Sequence, residues 1–166
     1  ASRGLGDVYK RQSYKNFDLN VFFRFSGGNK IMNASRQSAL FNMDFSNNGT
    51  EILGRWVSPE QPGDGMTPKI GYGDASSLFN DGYTDSHFVE SGNYLKLSTL
   101  ALGYTLPKAV VSKLNMTKIR FYVQGQNLLT ITGYSGLDPE TNSRLGVDWN
   151  GMPQQRSFTF GANITL

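Results

Sequence analysis

Long runs in which apolar and polar residues alternate constrain this chain more than any other feature of it. Phe17, Leu19, Val21, Phe23 and Phe25 are separated by Asp18, Asn20, Phe22, Arg24 and Ser26. A period of two places the two sets on opposite faces of a β-strand. The pattern recurs at Leu95 and Leu97, then at Leu100, Leu102, Tyr104 and Leu106. Its phase slips by one at Ser98–Thr99, as a β-bulge would require. A third segment sets Ile119, Phe121 and Val123 against Arg120, Tyr122, Gln124 and Gln126. A fourth sets Phe158, Phe160, Ala162, Ile164 and Leu166 against Ser157, Thr159, Gly161, Asn163 and Thr165.

Each segment is about ten residues long or more, whereas strands of globular domains run to about 5–6. A strand crossing a bilayer at a tilt needs about 9–11. The connections are long, short and long: residues 28–93, then PKAVVSKLNMT at 107–117, then residues 132–154. Bacterial barrels combine short periplasmic turns with long extracellular loops in this way. Pro107 donates no ladder hydrogen bond and suits a strand end. Within 28–93 a short, ragged helix is expected over 31–45. Pro59, Pro62 and Pro68, with Gly63, Gly65, Gly71 and Gly73, predict irregular structure after it.

Composition removes other classes. Charged residues are 17% of the 166, there is no cysteine, His87 is the one histidine, and net charge is +3. Disulfide scaffolds, cysteine chemistry and multi-histidine metal sites are excluded. No apolar run reaches the ~18 residues of a membrane helix. Lys108, Lys113, Lys118 and Arg120 form the one loose basic group, without the interleaved aromatics of a nucleic-acid surface. No constellation for catalysis is present, so no enzyme activity, cofactor or metal is expected. Asp138, Glu140 and Asn142 lack the glycine and the closing glutamate of a calcium loop, and read as a turn. Asp81, Asp85 and Glu90 read as solvated loop carboxylates.

Residues 1–12, ASRGLGDVYKRQ, show no strand or helix period. GLGDVYKRQ resembles the translated remnant of a sequencing adapter. A non-native or disordered leader is therefore expected over 1–12, with the folded part at 13–166. At the other end the chain stops within its fourth strand. There Thr159, Gly161, Ile164 and Leu166 have the spacing of the C-terminal signal that barrel-assembly machinery recognises, with Leu166 where an aromatic is usual.

Four stretches together resemble SusC/RagA-type TonB-dependent outer-membrane transporters of the Bacteroidetes. They are NFDLNVFFRFSGGNKI at 16–31, FVESGNYLKLSTLALGYTLPK at 88–108, KIRFYVQGQNLLTITGYSGLDPE at 118–140 and GVDWNGMPQQRSFTFGANITL at 146–166. The resemblance implies an all-β, antiparallel fold. This chain would supply the last four strands of a barrel of about 22, closed around a plug domain. It implies import of oligosaccharides or peptides across the bacterial outer membrane, with a SusD-like surface lipoprotein as lid and the TonB complex as energy source. The plug and TonB box lie outside these residues, so transport by this segment alone is not expected. Its partners would be the rest of its own barrel and plug, the lipoprotein, outer-membrane lipid and a glycan or peptide. Arg24, Lys96, Arg120 and Gln124 would face the lumen. Trp56, Tyr72, Tyr83, Tyr134 and Trp149 are loop aromatics open to two readings, substrate or partner contact on the one hand and loop packing or an interfacial girdle on the other. The rival reading is a soluble β-sandwich carbohydrate-binding module. There Phe17, Phe23, Phe121 and Phe158 would interdigitate with a second sheet instead of facing lipid.

Overall fold

The computed structural model describes residues 4–41, 47–69, 86–140 and 146–166, in two compact units. The first comprises residues 1–29, 91–134 and 153–166, and the second residues 30–90 and 135–152.

The first unit is a five-stranded antiparallel sheet. Its strands are β1 (Gly4–Tyr14), β2 (Phe17–Gly27), β5 (Tyr94–Thr105), β6 (Lys118–Thr132) and β8 (Ser157–Thr165), adjacent in that order. Registers confirm the period-two reading. Phe17 opposes Tyr104, which opposes Phe121, which opposes Ala162. Leu19, Leu102, Val123 and Phe160 form the next row of the same face. Ser98 is the extra residue of a bulge. Phe22 pairs with Thr99 and Phe23 with Leu97, so the leucines on either side stay on one face. On β6 the bulge is matched at Asn127, which takes a φ of 52°.

The apolar face is open. Phe17, Phe25, Leu95, Leu102, Phe121, Leu129, Ile131, Phe158 and Ile164 are exposed on it, and Phe160 is 78% exposed. A sandwich would bury this face under a second sheet, so the sandwich reading is not what folds. The sheet is also open at β1 and β8, and no closed barrel forms among the described residues.

The sheet has one strand more than the pattern foretells: Gly4–Tyr14 pairs with β2 from Gly4↔Gly27 to Tyr14↔Phe17, making five strands where four were expected. Backbone pairing with a well-patterned neighbour suffices to order a strand whose own pattern is poor. Lys10 and Gln12 sit opposite Val21 and Leu19, on the otherwise apolar face. The β1–β2 turn holds Lys15 at a φ of 54°, which costs a non-glycine residue about 1–2 kcal/mol.

The second unit is irregular over residues 55–69, as the prolines and glycines there predict, with turns and one isolated bridge at Ser58↔Gln61. Its small sheet has the order β4 (Val89–Ser91), β3 (Lys30–Asn33), β7 (Val147–Asp148), with β3 and β7 parallel. Helix α1 (Ala34–Phe41) follows β3 directly and starts at residue 34, where 31 was expected. Asn33 starts it, its Oδ1 accepting from the Arg36 backbone N–H at 2.9 Å. Ile31, Met32, Ala34, Ile52 and Phe88 are buried. Between residues 54 and 67 the chain closes on itself, with Asp64 N–H donating to Gly54 O and Trp56 N–H to Thr67 O. Gly63, at φ 69°, lies against the Gly54 and Arg55 carbonyls, where a Cβ would overlap them. The short 107–117 connection folds into helix α2 (Lys108–Val111) and one further helical turn.

Candidate functional site

The polar face of the five-stranded sheet carries all four residues expected to face a lumen. Alternation along β2, β5 and β6 puts Arg24, Lys96, Arg120 and Gln124 on one side. Arg120 holds Asp18 with two hydrogen bonds, Nε to Oδ1 at 2.8 Å and Nη2 to Oδ2 at 2.6 Å. The pair spans from β6 to β2 and passes over β5 at Gly103, where any Cβ would collide with both side chains. The guanidinium carbon also lies 5.3 Å from the Tyr122 ring centre. That ring covers Gly161, whose missing Cβ leaves it room. One row, Asp18–Gly103–Tyr122–Gly161, thus links four strands by side chains laid over glycines.

Further along the face, Arg24 and Lys96 stand directly opposite one another. Like charges directly opposite one another are destabilising. The Asp7 carboxylate, 3.4 Å from Arg24 Nε, offsets part of that repulsion. Lys96 is 1% exposed, and its Nζ donates to Gln154 Oε1 at 3.4 Å. Gln124 shares a row with Asn20, Ala101 and Thr159. Tyr9, Asn20, Phe22 and Thr99 enclose a hollow of about 290 Å³ on the same face.

Thr159 and Gly161 of the C-terminal spacing lie on the polar face, and Ile164 and Leu166 are exposed. Of the loop aromatics, Trp149 is 73% exposed and Trp56 lies on the surface with Lys69 Nζ 5.8 Å from its ring. Tyr134 is 6% exposed, so its ring packs inward instead of being offered to a ligand. Tyr72, Tyr83, Asp81, Asp85 and Asn142 lie outside the described residues. Asp138 is buried and its Oδ1 accepts from the Glu140 N–H at 3.0 Å, an Asx turn.

The second unit contains a polar network that sequence reasoning did not find. Glu90, expected to be solvated, is partly buried and fully engaged. It accepts from Ser135 Oγ at 2.7 Å, Ser135 N–H at 2.8 Å, Asn33 Nδ2 at 3.2 Å and Arg36 Nη1 at 3.3 Å. Arg36 also binds Glu51 through Nε at 2.9 Å and through Nη2. His87 completes the group, its Nε2 lying 3.3 Å from Arg36 Nη2. Burial alone would raise the Glu90 pKa, but the bonds from Ser135, Asn33 and Arg36 outweigh it and hold it below the usual range. The Arg36 hydrogen bonds lower that of Glu51. This arrangement ties residues 33–36, 51, 87–90 and 135 together, so its work is to fix a loop. Spacings of 15 to 102 residues between partners hide it from any local pattern. Among the described residues no group of acidic and histidine side chains is arranged to hold a metal ion.

The fold and its two-faced sheet are those of a segment of barrel wall, and they match part of the barrel in solved transporter structures. The chain is homologous to a segment of the SusC/RagA-type TonB-dependent receptors of the Bacteroidetes. TonB-dependent receptor P3 of Formosa agariphila is 32% identical over 161 residues, which is 91% of this chain and 15% of the receptor. TonB-dependent receptor SusC of Bacteroides thetaiotaomicron is 26% identical over 179 residues, 96% of this chain and 15% of the receptor. The RagAB peptide importer in its open-open state superimposes with a TM-score of 0.76 at 25% identity, over 98% of this chain and 17% of that one. No protein-family model matches the chain. The chain thus spans about 15% of the length of its curated relatives. Those relatives are outer-membrane proteins, and transporters instead of enzymes.

Proposed function

We propose that this chain is a stretch of barrel wall from an outer-membrane TonB-dependent transporter. Its apolar face meets lipid and its polar face, with Arg24, Lys96, Arg120 and Gln124, lines the lumen. The long connections, 28–93 and 132–154, leave the sheet at one end and face outward. The tight β1–β2 turn and 107–117 lie at the periplasmic end. The whole transporter, a barrel of about 22 strands around a plug, imports oligosaccharides or peptides. A SusD-like lipoprotein forms the lid, and TonB supplies the energy. RagAB, the solved relative, is a peptide importer, which favours the peptide branch. Thr159, Gly161, Ile164 and Leu166 act in barrel assembly. Trp56 and Trp149 are placed for contact with the lid or the substrate. The chain contributes wall, closure and recognition surface, and is not transport-competent alone.

The observation that carries this reading is the apolar stripe, continuous across β2, β5, β6 and β8 and open along its length. An exposed apolar surface of that extent is unstable in water. The test is sedimentation with far-UV circular dichroism of the chain, with and without detergent micelles. Detergent-dependent β-structure supports the reading. A soluble, cooperatively melting monomer in buffer alone contradicts it.

A further inference from the structure

At the short-connection end of the polar face, four cations from distant parts of the sequence converge. Arg11 comes from β1, Lys15 from the β1–β2 turn, and Lys118 and Arg120 from the start of β6. Together with Asp18 and neighbouring polar groups they line a concavity of about 330 Å³. Among the described residues lining it, Asp18 is the one carboxylate, and Arg120 already engages both of its oxygens. No ion pair joins Arg11, Lys15 or Lys118 to a carboxylate among the described residues. Elsewhere on the same face Arg24 is engaged by Asp7 and Lys96 by Gln154, while Lys15 Nζ has an aromatic neighbour instead of a carboxylate, the Tyr14 ring centre at 5.4 Å. Lys15 is held in a left-handed turn conformation that asparagine or glycine adopts more readily, and backbone strain of this kind gathers at functional positions.

From these observations we infer that this concavity binds an acidic polypeptide segment carrying at least two carboxylates. Concentrated like charge in a concave surface attracts a counter-charge and relieves its own repulsion by binding one. Lys15, beside Asn16 at the end of β2, and Lys118 on β6 stand about two strand spacings apart, roughly 10 Å between backbones. An extended peptide, advancing about 3.3 Å per residue, presents carboxylates over that span. A single phosphate does not. Asn16 is tied to the end of β5 by its carbonyl, which accepts from the Thr105 N–H at 2.8 Å. The turn that carries Lys15 is therefore fixed against the sheet before any ligand arrives. Phe17, which belongs to the opposite face, borders the concavity, while its charged groups stand on the polar face or in the β1–β2 turn.

The test uses the full 166-residue chain in non-ionic detergent micelles, with fluorescein-labelled hexaglutamate followed by anisotropy. Salt should weaken binding, and the paired change Lys15→Asn with Lys118→Gln should weaken it at least about tenfold. Asparagine is chosen at 15 because it tolerates the turn geometry. Neutralising Lys108 and Lys113, which lie on the connection outside the concavity, should change binding by less than about twofold. A second measurement needs no variant: bound hexaglutamate should protect Lys15 and Lys118 from acetylation and leave Lys108 and Lys113 reactive. Equal losses from both pairs of lysines, or uniform protection, would overturn the site in favour of diffuse surface charge. Displacement of the peptide by inorganic pyrophosphate at lower concentration would overturn the peptide assignment in favour of a small-anion site. Absence of binding at low salt would overturn both.

Discussion

Arg120 and Asp18 meet across an intervening strand, and they do so because the residue between them is Gly103. The contact converts three separately paired strands into one unit whose register is checked by side chains as well as by backbone. A one-residue slip would put Asp18 on the apolar face, so the ion pair and the lipid stripe demand the same register.

Gly103→Ala is expected to destabilise the sheet by about 1–3 kcal/mol, because the added methyl overlaps both partners. The cost should shrink when Arg120→Ala is already present, since the obstruction is then gone. Denaturant titration of the four chains in micelles gives the coupling. Additive costs would show that Gly103 is retained for some other reason.

Gly161 and Tyr122 make a similar pair on the neighbouring strands. Gly161→Val should displace the ring and loosen the β6–β8 edge, seen as faster amide exchange over 157–165. Tyr122→Ala should remove most of that sensitivity. The glycine of the C-terminal spacing thus has a packing reason visible in the sheet itself, in addition to its proposed part in assembly.

The two faces of the sheet should respond differently to charge. Phe160→Lys places an ammonium on the apolar stripe, at a cost of about 2–4 kcal/mol near a bilayer midplane. Gln124→Lys, on the polar face, should cost less than about 0.5 kcal/mol. Unfolding midpoints in phospholipid vesicles measure both. Equal costs would mean that the stripe is not in contact with lipid.

The second unit should be acid-sensitive with a definite sign. Glu51 and Glu90 have pKa values below their ordinary 4.5. Each contributes stability that is complete above the unfolded value and lost as pH falls through the folded one. Amide protection over 33–36 and 87–90 should therefore be flat from pH 7 to about 5 and decline below about 4.5. Arg36→Ala should lower protection at neutral pH and leave a smaller acid dependence. An acid dependence unchanged in that variant would place its origin elsewhere.

What the sequence disclosed and what it hid divide along physical lines. The existence and facing of β2, β5, β6 and β8 and the bulge at Ser98 follow from a local period of two, and these were legible. Arg24, Lys96, Arg120 and Gln124 fell on the polar face for the same reason. The β1 strand was not legible, because Lys10 and Gln12 interrupt its apolar phase and only pairing with β2 orders it. The Asn33–Arg36–Glu51–Glu90–Ser135 network was hidden because its partners are remote in sequence. The Asn33 cap at the start of α1 was its one local trace. Tyr134 was open to both readings because composition alone does not distinguish a packed ring from a presented one, and its burial fits packing.

The central claim is that one face of the sheet meets lipid and the other water. The chain contains no cysteine, so single-cysteine substitutions at successive positions 157–165 each accept one nitroxide label. In phospholipid vesicles, collision rates with oxygen and with a water-soluble nickel chelate should alternate with period two and opposite phase. Oxygen should dominate at 158, 160, 162 and 164, and nickel at 157, 159, 161 and 163. Uniform nickel access along β8, or low access to both reagents at the even positions, would contradict the account.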